Sequence, residues 1–335
     1  MAVRKVGSCR ILREVGRGGM GVVYEAYQDG LDRRVAVKAL DAKSARQADL
    51  AERFRREGRA CARIRHPSLI VVHDLVEKDE GLYLVTEFVD GADLLDALGA
   101  GPRLPAEAVA AIGARVADAL DCLHRSAILH RDVKPSNVMI AREGEVKLMD
   151  LGIAKDPLST DLTRTGTVVG TPAYIAPEVL EGEPASEASD VWAAGVTLYE
   201  IATGAKPFDG PSFHELVAAV RRARPLPVRE RAPACPRRLA RAIERCLARD
   251  PARRWGTAGA LARELDACAG RLLHGQRAEE RLALLLVERG LSPAPAVADG
   301  PTVRFTAPGG GLDRLTWALV GALLLAGAVG LLAGR

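Results

Sequence analysis

Between His130 and Asn137 the chain reads His-Arg-Asp-Val-Lys-Pro-Ser-Asn, and within those eight residues stand a carboxylate, an ammonium and a carboxamide. Asp132 can accept a proton, Lys134 can reach a phosphate, and Asn137 offers a neutral oxygen to a hard cation. Asn137 is the only asparagine in 335 residues, and lysine fills only 8 of the 47 basic positions. Neither residue stands here by compositional habit. Multiplying the chain's own frequencies along the pattern gives on the order of 10⁻⁵ chance occurrences.

A second candidate group lies near the N-terminus. Gly16-Arg17-Gly18-Gly19-Met20-Gly21 fits G-x-G-x-x-G. Alone this is a weak signal, because a glycine-rich chain yields roughly 0.3 random matches. Context sharpens it. The residues that follow, Val22-Val23-Tyr24, form a strand pattern, so the fingerprint of a dinucleotide fold, which needs a helix there, does not apply. A glycine hairpin between two strands can instead lay its backbone N–H groups over phosphates. Lys38 closes Val-Ala-Val-Lys on the next strand and brings a cation under that hairpin. Glu57, four residues before apolar Cys61 on the following helical stretch, is the carboxylate expected to hold it.

These groups need elements to position them. Residues 11–90 read as short strands, Val22–Tyr24, Val35–Val37 and Leu82–Phe88, with one charged helix over 47–64. From about 105 the period turns helical: 106–125, 191–203, 213–222 and 237–246. The pattern predicts a small β-rich lobe followed by a larger α-rich one. With 48% hydrophobic and 27% charged residues the chain is globular, and 4% aromatics leave Ala, Val, Leu and Ile to build the core. A net charge of +4 does not call for nucleic acid, and none is expected as a partner. The six cysteines contain no C-x-x-C pair and read as reduced thiols.

The C-terminal part changes character. Residues 276–289 form an amphipathic helix pattern, and 292–311 are rich in Pro, Gly and Ala, as a flexible linker is. Leu315–Ala333 carries no charge and is bracketed by Arg314 and Arg335, about the length that spans a ~30 Å hydrocarbon core. Trp317 suits an interface. Ala322, Ala326, Gly330 and Gly334 recur every four residues, a face able to pair two such helices in a homodimer.

Taken together, these residues resemble the eukaryotic-type Ser/Thr protein kinase family in its bacterial membrane-anchored form. The resemblance is carried by Gly16-x-Gly18-x-x-Gly21-x-Val23, Val35-Ala36-Val37-Lys38, Glu57, His130-Arg131-Asp132 with Lys134 and Asn137, Asp150-Leu151-Gly152, and Ala176-Pro177-Glu178. Asp190 with Trp192 and Gly195, and Arg254 after Asp250-Pro251, fit it too. It implies an α+β, bilobal kinase fold over 11–268, with an N-lobe at about 11–90 and a C-lobe at about 91–268. A juxtamembrane helix and linker over 269–313 and a transmembrane helix over 314–334 follow.

The resemblance also implies roles. Asp132 would orient the substrate hydroxyl and take its proton, Lys134 would neutralise the transferring phosphate, and Lys38, held by Glu57, would grip the other phosphates of ATP. Asn137 and Asp150 would hold Mg²⁺, or Mn²⁺ in its place. Gly16, Arg17, Gly18, Gly19, Met20, Gly21 and Val23 would cover the nucleotide, with Ala36 and Met139 beside the base. Thr86 would stand at the back of the pocket, the backbone of Glu87 to Val89 would bond adenine, and Asp96 would reach the ribose. Lys134 and Thr171 match the Ser/Thr rather than the Tyr members. The one departure is Leu151, where the family's metal motif has Phe. Thr163 and Thr165 become candidates for autophosphorylation in trans, because a phosphate there could pair with Arg131. Protein Ser/Thr hydroxyls are the expected substrates, and the kinase domain would face the cytoplasm beneath the inner or plasma membrane. A membrane-tethered pseudokinase scaffold that binds ATP is the alternative.

Overall fold

The computed structural model describes residues 5–18, 21–40, 48–78, 81–101, 103–150 and 172–292. A six-stranded sheet roofs the first part. Its strands are β1 (Lys5–Val6), β2 (Cys9–Gly18), β3 (Gly21–Gln28), β4 (Arg33–Leu40), β5 (Val72–Lys78) and β6 (Gly81–Glu87), in the order β1-β2-β3-β4-β6-β5. All pairings are antiparallel. Helix α1 (Ala48–Cys61) crosses between β4 and β5 in sequence.

The period of two along β4 decides what faces the cleft. Val35 and Val37 point into a small core with Val6, Ala26 and Val85, while Ala36, Lys38 and Leu40 alternate to the other face and line the cleft. Register sets Lys38 opposite Val23 on one side and Leu84 on the other. The glycine segment lies at the β2–β3 turn, where Gly18 pairs with Gly21, and Gly19 and Met20 between them fall outside the described residues.

A second, three-stranded sheet was not legible in the sequence. It comprises β7 (Gly91–Asp93), β8 (Val138–Ala141) and β9 (Val146–Leu148), all from the helical lobe's share of the chain. A Cβ on Gly91 would stand 2.0 Å from the Ile140 carbonyl oxygen, so only glycine lets β7 approach β8. Helix α2 (Leu94–Gly99) follows β7 at once.

The helical lobe is built on α3 (Ala106–Arg125) and α5 (Glu187–Thr203), with the short α4 (Pro177–Leu180) before α5. Both long helices are alanine-rich, which favours helix and permits close packing. A capping box between Ser186 and Ser189 starts α5, and Gly204 at φ 77° ends it. Around them stand α6 (Phe213–Arg222), α7 (Val228–Arg231), α8 (Arg237–Cys246) and α9 (Ala258–Leu272). The bounds of α3, α6 and α8 coincide with those read from periodicity.

Helix α10 (Ala278–Glu288) is part of this lobe's packing. Its Leu282, Leu285 and Leu286 are buried in the main core, and Arg281 reaches Glu107 on α3 at 3.1 Å. Among the described residues no helix is long and apolar enough to cross a membrane; the span expected over 314–334 lies outside them.

Candidate active site

The loop before β8 is held from beneath by one buried acid. Asp190, on α5, accepts the backbone N–H groups of His130 and Arg131, each at 2.8 Å, and His124 Nε2 at 2.9 Å. Arg131 is thereby kept at φ 62°, a left-handed conformation that costs a non-glycine residue on the order of 1–3 kcal/mol. His130 is fully buried. Its Nδ1 accepts the Asp132 N–H at 3.2 Å, and its Nε2 donates to the Met149 carbonyl at 2.9 Å. That pattern requires the neutral ring, and burial pushes its pKa below the ordinary imidazole value even though Asp190 pulls the other way.

The loop thus delivers Asp132 with its carboxylate already engaged. Asn137 Nδ2 donates to Asp132 Oδ2 at 2.9 Å and to the Asp132 carbonyl at 2.7 Å, and Lys134 Nζ lies 3.1 Å from Oδ2. The Met149 N–H donates to the Asn137 carbonyl at 2.7 Å, which ties the loop to the segment carrying Asp150. Asp150 sits at φ 46° and receives Lys38 Nζ on Oδ1 at 2.7 Å. A cation from the upper sheet therefore meets a carboxylate from the lower lobe. The side chain of Glu57, the partner read from the sequence, lies outside the described residues; the carboxylate seen on Lys38 is Asp150.

Between the lobes is an open cleft of about 490 Å³. Gly16, Val23, Ala36, Lys38, Thr86, Glu87, Val89, Asp96, Asp132, Met139 and Asp150 all line it. Arg17, Gly18, Gly21, Lys134 and Asn137 are not among the lining residues, although Lys134 and Asn137 both contact Asp132, which is. Gly19, Met20, Thr163 and Thr165 lie outside the described residues. Between Asp93 and Asp96 the geometry discriminates. Asp93 caps α2 by accepting the Asp96 N–H at 2.8 Å, whereas the Asp96 side chain is exposed at the cleft.

Several lining residues were missed in the sequence. Val15, Leu40, Val72 and Leu84 form apolar wall from the sheet, and Met149 joins Met139 on the floor beside Ile70 and Val89. The strand that borders the cleft is anchored by Glu87, whose carboxylate accepts the Val71 N–H at 2.9 Å and Lys147 Nζ at 3.1 Å. Lys147 is buried, so this pair fixes Glu87 from the side away from the cleft. A signal did exist: lysine is scarce in this arginine-rich chain, and Lys147 is one of the few.

The donor set fits a hard divalent cation. One carboxylate and one carboxamide oxygen, close to an open cleft, suit Mg²⁺, which keeps water and phosphate oxygens as further ligands. Below the loop, Arg254 is fully buried and pairs bidentately with Glu178 at 2.7 Å for both bonds, while its guanidinium lies 4.9 Å from the Trp192 ring centroid. That pair locks the start of α4 to the lobe.

A β-roofed cleft over a loop that presents Asp132, Lys134 and Asn137 is the architecture of the protein kinases. The chain belongs to that family: the profile described as "Protein kinase domain" matches residues 9–265. Its relatives are bacterial Ser/Thr kinases. Serine/threonine-protein kinase PrkC of Bacillus subtilis is 37% identical over 253 residues, which are 75% of this chain and 39% of that one. PkaA of Streptomyces coelicolor is 39% identical over 318 residues, 89% of this chain and 57% of that one. The chain thus spans between about two fifths and three fifths of these relatives' lengths. Among solved structures, the PknI kinase domain of Mycobacterium tuberculosis superposes with a TM-score of 0.65 at 30% identity, covering 81% of this chain and 99% of that one. Rad53 in complex with AMP-PNP gives 0.65 at 29%, covering 76% and 64%.

Proposed function

We propose that this chain is an ATP-dependent Ser/Thr protein kinase. The observation that carries the reading is the meeting of a trio and a pair at one cleft: Asp132 with Lys134 and Asn137, and Lys38 with Asp150. A Ser or Thr hydroxyl placed beside Asp132 attacks the terminal phosphorus of ATP. Its proton passes to the Asp132 carboxylate, the bond to the bridging oxygen breaks, and ADP leaves. Lys134, adjacent to Asp132, offsets charge on the transferring group, and Lys38 offsets it on the other phosphates. Asn137 and Asp150 would hold Mg²⁺, which when bound neutralises the phosphate oxygens and orients them. The apolar walls at Ala36, Met139 and Met149 suit a purine. A Rad53 structure with AMP-PNP, an ATP analogue, agrees with the nucleotide reading.

Labelled ATP with Mg²⁺ and a generic protein substrate tests this. Phosphate on Ser or Thr, lost in Asp132→Asn, is expected. Retained nucleotide binding without any transfer by the unaltered chain would overturn it in favour of an ATP-binding scaffold.

Two finer parts of the reading concern segments outside the described residues. Thr163 and Thr165 are proposed autophosphorylation sites, supported by their place between Asp150 and Glu178; phosphate persisting there in Asp132→Asn sinks that part. Residues 314–334 are proposed as a single membrane span with the kinase domain on the cytoplasmic side, supported by twenty uncharged residues in a row, Leu315 to Gly334. Release of the chain from membranes by carbonate alone counts against it.

A further inference from the structure

We propose that Arg237, Arg241 and Arg245, a stripe along α8, form a docking face for anionic phospholipid headgroups that rests the helical lobe on the bilayer. The inference builds on the proposed membrane span. Charge in this chain is unevenly placed. Residues 221–271 hold 14 arginines and no lysine against 5 acidic residues, in a chain whose total is only +4. Within that stretch α8 carries four arginines against one acid, Glu244. Spacings of four put the three arginines on one helical face, and all three are exposed. The opposite face, with Leu239, Ala242, Ile243 and Cys246, is buried.

Nearby acids do not neutralise the stripe. Glu244 accepts the Val228 N–H at 2.9 Å, Glu264 pairs bidentately with Arg238 at 2.6 and 2.7 Å, and Asp266 faces Arg115 at 4.0 Å. Among the described residues no ion pair engages Arg237, Arg241 or Arg245. Arg245 lies over the Trp255 ring at 4.3 Å, which places an amphipathic aromatic beside the charges. Guanidinium groups in such a row match phosphate oxygens in geometry as well as in sign.

Position selects lipid over other polyanions. Arg289, just past α10, donates to the Arg103 carbonyl at 2.5 Å. That bond fixes the end of α10, the last described helix before the proposed span in sequence. Only 21 residues, 293–313, separate the described lobe from the proposed span, a chain length that corresponds to about 25 Å root-mean-square for a Gly-rich sequence. A tether of that length keeps the stripe at high local concentration over headgroups, where arginines are attracted electrostatically. An acidic protein or a nucleic acid would have no such tether.

The full chain, reconstituted into vesicles of phosphatidylcholine alone or with phosphatidylglycerol, tests this by hydrogen exchange over Arg237–Cys246. Exchange is expected to slow several-fold only on the anionic vesicles, and to recover in high salt. A triple Arg237→Gln, Arg241→Gln, Arg245→Gln variant, with unchanged kinase activity in detergent, should exchange alike on both; the charge-reversed Arg237→Glu, Arg241→Glu, Arg245→Glu triple should do the same. Equal exchange of the unaltered chain on both vesicles, or slowing that survives the triple change, overturns the proposal. Failure to float with neutral vesicles would count against the span alone. The stripe would then be judged by flotation with anionic vesicles at low salt: flotation lost in the triple variant upholds it, and no flotation of the unaltered chain overturns it.

Discussion

Asp132 sits in a contact set that separates chemistry from binding. Its carboxylate receives Asn137 at 2.9 Å and Lys134 at 3.1 Å, yet it lines the same cleft as Lys38 and Asp150. Asp132→Asn keeps the shape and removes the base. Activity is expected to fall by about 10²–10⁴-fold, while affinity for a non-hydrolysable ATP analogue, read by calorimetry, stays within a few-fold. Equal losses in binding and turnover would argue that the loop had collapsed. Lys147 acts differently. It touches Glu87 from outside the cleft, so Lys147→Met should loosen the strand bordering the nucleotide. The expected signature is a KM for ATP raised several-fold with kcat little changed, because the reacting groups are untouched. A fall in kcat alone would exclude this positioning role. The residues legible in the sequence were those whose chemistry is rare and local. His130 to Asn137 occupies one short run, whereas the Lys38–Asp150 pair joins residues 112 positions apart, which no spacing rule connects.

Elements were legible where a period had room to repeat. Helices α3, α6 and α8 run ten residues or more, and their bounds follow from apolar spacing. Strands β7 and β9 hold three residues each, too few to show alternation, and the pairing of β7 with β8 depends on the close approach allowed at Gly91. Amphipathicity alone also left open where the leucines of α10 would lie. In the fold they complete the core against α3. Leu285→Ala should cost about 2–5 kcal/mol, a drop of roughly 5–15 °C in Tm for a chain of this size. Substitution at exposed Leu284, one residue away, should cost far less, and equal losses at both sites would contradict the docked helix. The catalytic loop carries a pH dependence of its own. His130 is neutral in the fold, with its pKa held below the free value of 6.5 chiefly by burial. Below about 6.5 the unfolded chain takes up a proton that the folded ring refuses. This contribution to stability is intact above that pH and is lost as the pH falls towards the folded pKa. Ring resonances of His130 should stay in their neutral positions at pH 6; a midpoint at or above 6.5 would refute the neutral ring.

At the scale of the whole molecule, the cleft is shared property. Lys38 belongs to the sheet and Asp150 to the helical lobe, and their 2.7 Å pair draws one positive and one negative group to the place where phosphates and a cation would enter. Exchange of that direct pair for contacts through nucleotide binds both lobes to a single ligand. A ligand that binds only the folded state raises stability by about 2.7 kcal/mol at a hundredfold excess over Kd, which for a chain of this size moves Tm by roughly 5–10 °C. Mg²⁺ with ATP should therefore raise the unfolding transition as a whole, with the sheet and the helical lobe melting together. Asp150→Asn keeps the side-chain volume but weakens both the hold on Lys38 and the oxygen set for the cation. Its Tm shift with Mg²⁺ and ATP should shrink to a small fraction of that of the unaltered chain, while ATP without Mg²⁺ should shift the two alike. A full shift in Asp150→Asn would mean that the lobes are bridged by something other than the pair that meets in the cleft.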